Sequence, residues 1–152
     1  GESSSVLETL LALGGSPAGA RPKAMIGVNA DKSRIIQGMD DLSQDYEHWL
    51  VKFPGTADGI DAGAVEFVYS QMARTAGLDV MESHLFPAKK GPGYFATKRF
   101  DRPSGNKRLH KHTASGLLHA DFRAPSLDYQ DLIRATMTLT RDIREAHKMF
   151  RL

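Results

Sequence analysis

The sequence predicts an α+β fold, on three observations. Helical apolar periodicity appears in three separated stretches, one near each end of the chain and one in the middle. Five short apolar or alternating segments bounded by Gly, Pro, Asn or Asp read as strands. Those strands come as a group of three and a group of two, with a helix between the groups.

The elements follow in order. Ser5-Val6-Leu7-Glu8 reads as a capping box, with Ser5 at the N-cap and Glu8 at the third helical position. The helix it opens carries Val6, Leu7, Leu10, Leu11 and Leu13, and Gly14 stops it. Lys23–Asn29 and Arg34–Gln37 form two short strands around the polar turn Ala30-Asp31-Lys32, and Tyr46–Phe53 is a third. A Gly/Asp-rich loop, Gly55–Asp61, leads to a helix over Ala62–Ala76 whose apolar positions are Val65, Val68, Met72 and Ala76, with Gly77 just past its end. Val80–Phe86 and Tyr94–Phe100 are strands joined by a loop containing Lys89-Lys90-Gly91-Pro92-Gly93. Arg102–Ser126 reads as mostly irregular. Asp128–Leu152 reads as one long amphipathic helix turning Leu132, Ile133, Leu139, Ile143 and Phe150 toward a core. No Gly or Pro closes that helix, which suggests a fragment boundary.

Composition narrows the function classes. At 152 residues the length prior gives one domain with room for a core, and 41% apolar and 25% charged residues are ordinary for a globular protein. A net charge of +2 does not argue for nucleic-acid binding by the whole molecule. The absence of cysteine rules out disulfides and thiolate chemistry and fits a reducing, cytoplasmic setting. No apolar run nears the ~20 residues of a membrane span, and no signal peptide or internal repeat is visible.

The chemistry-bearing stretch is Gly14-Gly15-Ser16-Pro17-Ala18-Gly19-Ala20-Arg21-Pro22-Lys23. Its glycines and small residues permit a concave nest of backbone N–H groups for an anion, with Arg21 and Lys23 closing it. The alternative is a tight helix-to-strand connection. It matches neither phosphate-loop motif: Gly19 is followed by Ala20-Arg21 instead of Lys and Ser/Thr, and no G-x-G-x-x-G stands between a strand and a helix.

Lys52 interrupts the apolar run Trp49-Leu50-Val51-Lys52-Phe53-Pro54. Its ammonium must find a polar site, either by snorkelling to water or by pairing with Glu66 on the next helix. Between Lys89 and His112 lie eight Lys/Arg residues and one acid, Asp101. That segment is a solvated basic face or, as a rival function, the surface of a non-catalytic module binding protein or DNA. His110, His112, His119 and Asp121 lack the spacing of a metal site, and no G-x-S-x-G elbow marks a hydrolase.

Taken together, Gly15–Lys23, Trp49–Pro54, Glu66, Arg99-Phe100-Asp101-Arg102, Leu109-His110, Asp121-Phe122 and Tyr129 resemble, in order, the HipA-type serine/threonine kinases of bacterial toxin–antitoxin systems. The resemblance covers nearly the whole chain. It implies a kinase-like small lobe, an antiparallel sheet with packed helices, over residues 1–100, then a hinge, connector and first large-lobe helix over 101–152. It further implies catalytic roles for Lys52 and Glu66. ATP contacts are implied for Ser16, Ala18, Gly19, Ala20, Lys23, Lys52 and the hinge residues Lys98, Arg99, Phe100 and Asp101, with Ser16 as an autophosphorylation site. Lys98 departs from the acidic residue of some members, which affects a side-chain contact and not backbone recognition of adenine.

The cofactors so implied are ATP and Mg²⁺, but the family's catalytic Asp, Asn and metal-binding Asp have no match here. Asp121, Asp128 and Asp131 lack the surrounding pattern. The metal ligands are therefore expected outside this chain, and the chain alone is expected to be inactive. The implied partners are a helix-turn-helix antitoxin of HipB type, through which alone DNA is met, and a protein substrate, by analogy an aminoacyl-tRNA synthetase. No membrane is implied.

Overall fold

A computed structural model describes residues 2–12, 21–38, 41–121 and 127–151. The elements are α1 (Glu2–Ala12), β1 (Lys23–Asn29), β2 (Ile35–Gln37), β3 (Tyr46–Lys52), α2 (Ala62–Thr75), β4 (Ser83–Phe86), β5 (Tyr94–Lys98), α3 (Ala114–Leu117), α4 (Tyr129–Thr140) and α5 (Ile143–Phe150). The fold is α+β. The chain divides into two units, one of Gly1–Gln71 with Val80–Leu109 and one of Met72–Asp79 with His110–Leu152.

The first unit holds an antiparallel sheet of order β2-β1-β3-β5-β4. Pairing of β1 with β3 sets Ile26 opposite Trp49, Ala24 opposite Val51 and Lys23 opposite Lys52. Side chains alternate across a strand, so this register sends Ile26, Trp49 and Val51 to one face and the two lysines to the other. On the apolar face, Leu7 of α1 joins Ile26, Val28, Trp49, Val51, Phe53, Phe86, Tyr94 and Ala96 in a buried cluster. Each such large side chain removed from water contributes roughly 1.5–3 kcal/mol.

Helix α1 starts at Glu2, so the expected capping box at Ser5 and Glu8 does not form. Ser5 lies inside the helix, where its carbonyl accepts from Thr9 Oγ1. Glu8 instead accepts from the Tyr94 hydroxyl at 3.0 Å and the Lys89 N–H at 3.3 Å. A tertiary partner has displaced the local one. The expected end of this helix at Leu13 and Gly14 lies outside the described residues.

Helix α2 ends as expected. Gly77 takes φ 81°, its N–H bonds to Arg74 O, and the Leu78 N–H bonds to Ala73 O, a Schellman closure. Its expected core stripe is not a core stripe, because Val65, Val68 and Met72 are all exposed. Gly63, Glu66 and Ser70 face the sheet instead: a Cβ on Gly63 would stand 2.4 Å from Gly93 O, and Ser70 Oγ meets Ser83 Oγ at 2.8 Å. Close backbone approach and polar contacts decide which side of this helix docks.

Four strands are shorter than expected, starting at Ile35 and Ser83 or ending at Lys52 and Lys98. Beyond the last, the chain turns at Phe100 while the Arg99 N–H still bonds to His48 O at 2.9 Å.

In the second unit the expected long terminal helix is two helices. Asp128 and Asp131 form a capping box at the start of α4. Arg141 then adopts the left-handed region at φ 53°, and Asp142 caps α5 by accepting from the Arg144 N–H. The Arg144 guanidinium and that N–H hold the Asp142 carboxyl down at about 2. Leu139, Ile143 and Phe150, expected in a core, are exposed, whereas Leu132 and Ile133 are half-buried. A short helix, α3, capped by Thr113, interrupts the stretch expected to be irregular. Lys148 to Asp79 at 3.0 Å and Arg151 to Ala76 O at 3.2 Å tie α5 to residues 76–79. Among the described residues, no helix is long and apolar enough to cross a membrane.

Candidate functional site

The site lies on the sheet face away from the apolar cluster. Lys52 ends β3 there, and its direct neighbour across the ladder is Lys23, the first residue of β1. Like charges facing each other across two strands are unfavourable unless something negative is supplied. Glu66 of α2 supplies part of it, with Oε2 at 2.6 Å from Lys52 Nζ. Helix α2 reaches this position because Gly63, one turn earlier, lets it close on the start of β5. The Lys52 ammonium also stands 5.4 Å from the Phe95 ring centre.

A second cation shares Glu66. Arg21 donates from Nη1 to Glu66 Oε1 at 3.2 Å and from Nη2 to Asp58 Oδ1 at 2.7 Å. The other Asp58 oxygen accepts from the Gly55 N–H at 2.6 Å. That backbone bond and the Arg21 bond hold the Asp58 carboxyl below its ordinary range, and Asp58 in turn raises the Arg21 guanidinium. The result is a chain of contacts from Gly55 through Asp58, Arg21 and Glu66 to Lys52. Arg21, Lys52, Asp58 and Glu66 line a shallow cleft with Pro54 and Phe95. Three cations (Arg21, Lys23, Lys52) against two carboxylates (Asp58, Glu66) leave a surplus of one positive charge, suited to an anion.

Lys23, Lys52 and Glu66 are thus gathered on one face. Ser16, Ala18, Gly19 and Ala20 lie outside the described residues, with the rest of the Gly-rich loop up to Ala20. The side chains of Lys98, Arg99, Phe100 and Asp101, expected at a hinge, do not join the cluster. Lys98 is paired in register with Trp49, on the other face, and bonds to Glu47 at 2.6 Å. Arg99 grips Asp101 through Nε at 3.0 Å and Nη2 at 2.7 Å, and Arg102 adds a contact at 3.1 Å. Asp101 is 3% exposed, so its carboxylate is spent on holding this turn. Phe100 is exposed. The Lys98 and Arg99 N–H groups donate to Glu82 O and His48 O.

Sequence reasoning missed Asp58 and Gly63, and saw Arg21 only as a loop cation. The signals were present: an Asp three residues after Gly55 in a Gly-rich loop, and a glycine inside the first turn of a helix. The basic segment is neutralised in part within the chain, since Lys98, Arg99, Arg102 and Arg108 pair with Glu47, Asp101 and Asp41. The His110 and His112 rings lie 5.3 Å apart, and among the described residues no three His, Asp or Glu side chains are grouped to hold a metal ion.

No curated protein matches the sequence significantly. The sequence profile of the HipA-like C-terminal domain matches residues 15–152, which span the Gly-rich loop, all five strands and the Lys52–Glu66 pair. The chain therefore belongs to the HipA-like C-terminal domain family.

Proposed function

We propose that this chain carries the nucleotide grip of a HipA-type protein kinase. The observation that carries the reading is the Lys52–Glu66 ion pair, set beside the end of the Gly-rich loop with Lys23 directly across the ladder. An ammonium has three donors; Glu66 takes one at 2.6 Å, and the others are available to phosphate oxygens. Glu66 keeps the long lysine side chain in one place, so little freedom is lost when the anion arrives. Lys23 adds the second charge. The loop through Ser16, Ala18, Gly19 and Ala20 is assigned the remaining phosphate contacts. Adenine is assigned to the backbone of the Lys98–Asp101 segment, at carbonyl oxygens and its Phe100 end, because the Lys98 and Arg99 N–H groups are already engaged.

ATP would supply the transferable phosphoryl group. The described residues offer no set of carboxylates for its Mg²⁺, and Asp128 and Asp131 are occupied in capping α4. The transfer itself is assigned to residues this chain does not carry. In the whole protein we assign phosphorylation of a protein Ser or Thr, on an aminoacyl-tRNA synthetase by family analogy, restraint by a helix-turn-helix antitoxin, and silencing through Ser16. A phosphate on Ser16 would bring a charge of about −1.5 to −2 into the anion site.

Calorimetric titration of the chain with ATP tests the grip. Wild type is expected to bind and Lys52→Ala to lose binding at least about tenfold, the cost of one charge-assisted phosphate contact. Equal heats for the two proteins would overturn the reading. So would an intact-mass gain of phosphate on the purified chain in Mg-ATP, for the part that places transfer elsewhere.

A further inference from the structure

Glu66 has two oxygens and two suitors, Lys52 at 2.6 Å and Arg21 at 3.2 Å. On its own, that arrangement favours Arg21. A guanidinium presents a planar fork that fits both oxygens of a carboxylate, whereas an ammonium is a point charge on a flexible stem. Yet the observed geometry gives Lys52 the shorter contact. The difference lies in Asp58, which draws the Arg21 Nη2 to itself at 2.7 Å, so that Arg21 reaches Glu66 through Nη1 alone. Asp58 is itself held in place by the Gly55 N–H at 2.6 Å.

We propose that Asp58 is a positioning residue: by holding one arm of the Arg21 fork, it prevents Arg21 from taking both Glu66 oxygens, and so reserves Glu66 for Lys52. Its consequence for ligand affinity rests on the nucleotide reading given above; the side-chain arrangement does not. Removing Asp58 frees Arg21 to close on Glu66 and releases Lys52. Removing Arg21 leaves Lys52 with Glu66 to itself. Removing both restores the wild-type state of Lys52. A residue that merely stabilised the fold would give no such reversal, because two losses of support would add.

The test is chemical labelling of Lys52 in this chain with acetic anhydride, read by peptide mass spectrometry, with ATP titration alongside. The Lys52 side chain is 37% exposed and so within reach of the reagent. Asp58→Asn is expected to raise Lys52 acetylation about threefold, the scale of a half-exposed ion pair. It keeps an amide oxygen for the Gly55 N–H, which protects folding. Arg21→Gln is expected to leave labelling at or below wild type, and Asp58→Asn with Arg21→Gln to bring it back down. ATP affinity should fall in Asp58→Asn and recover in part in the double variant. Unchanged labelling in Asp58→Asn, or labelling as high in the double variant, would overturn the proposal. The expected labelling pattern with no ATP binding by wild type would instead overturn the nucleotide reading and leave the role of Asp58 standing.

Discussion

The two faces of the sheet are built on opposite terms. One packs Ile26, Val28, Trp49, Val51, Phe86, Tyr94 and Ala96 against Leu7 of α1, with all of them buried. The other meets α2 through a glycine, a shared carboxylate and a pair of serine hydroxyls, and α2 buries none of its residues fully. Apolar burial is large and undirected, so the first face supplies stability and tolerates imprecision. Hydrogen bonds and half-exposed ion pairs contribute little net stability but fix positions closely. The second face is therefore where a charged ligand can be held, and the first is what allows that face to stay polar.

The largest effect should come from breaking the apolar face. Phe86→Ala empties a fully buried position that contacts Trp49 edge-on at 6.5 Å. It should cost about 3–5 kcal/mol in urea unfolding followed by circular dichroism. A loss under about 1 kcal/mol would mean the face relaxes easily and is not the main support of the fold.

Gly63→Ala reverses the pattern. The new methyl would meet Gly93 O at 2.4 Å and the Phe95 N at 3.1 Å, both backbone atoms that do not yield as side chains do. Helix α2 must shift, at a cost of about 1–3 kcal/mol. Glu66 moves with it, so ATP affinity should drop more than stability does. If stability falls and the affinity is untouched, α2 does not position the site.

The smallest effect probes the polar rim of the apolar face. Burial, followed by the hydrogen bond to Glu8, pushes the Tyr94 phenol up to about 12 from its ordinary 10.0. The fold favours the protonated phenol. This contribution is whole below pH 10.0 and is lost as pH rises through about 12. Tyr94→Phe should cost about 1 kcal/mol at neutral pH, and the stability gap between it and wild type should narrow across that alkaline window. A gap that stays constant would mean the Tyr94–Glu8 bond does not couple α1 to the sheet.

Much of this was legible in the sequence, for a common reason. The strands over 23–29 and 46–52 and the helix over 62–75 follow from periodicity, and Gly77 from the backbone it must adopt, all properties of neighbouring residues. The Lys52–Glu66 contact was legible as one of two options, because a lysine ending an apolar strand must reach water or a counter-charge and Glu66 follows on the next helix.

What only the tertiary structure decided is which of several plausible partners each group takes. Glu8 fits a local cap, yet Tyr94, 86 residues away, takes it. The apolar residues of α2 read as a core stripe, yet Gly63 and Ser70 dock and leave Val65 and Val68 exposed. Asp58 reads as one acid among several in a loop, until Arg21, 37 residues earlier, is brought against it. Periodicity is a sum over neighbours and survives without the rest of the chain. Competition for a carboxylate depends on distances between residues far apart in sequence, and those distances exist only once the sheet has paired.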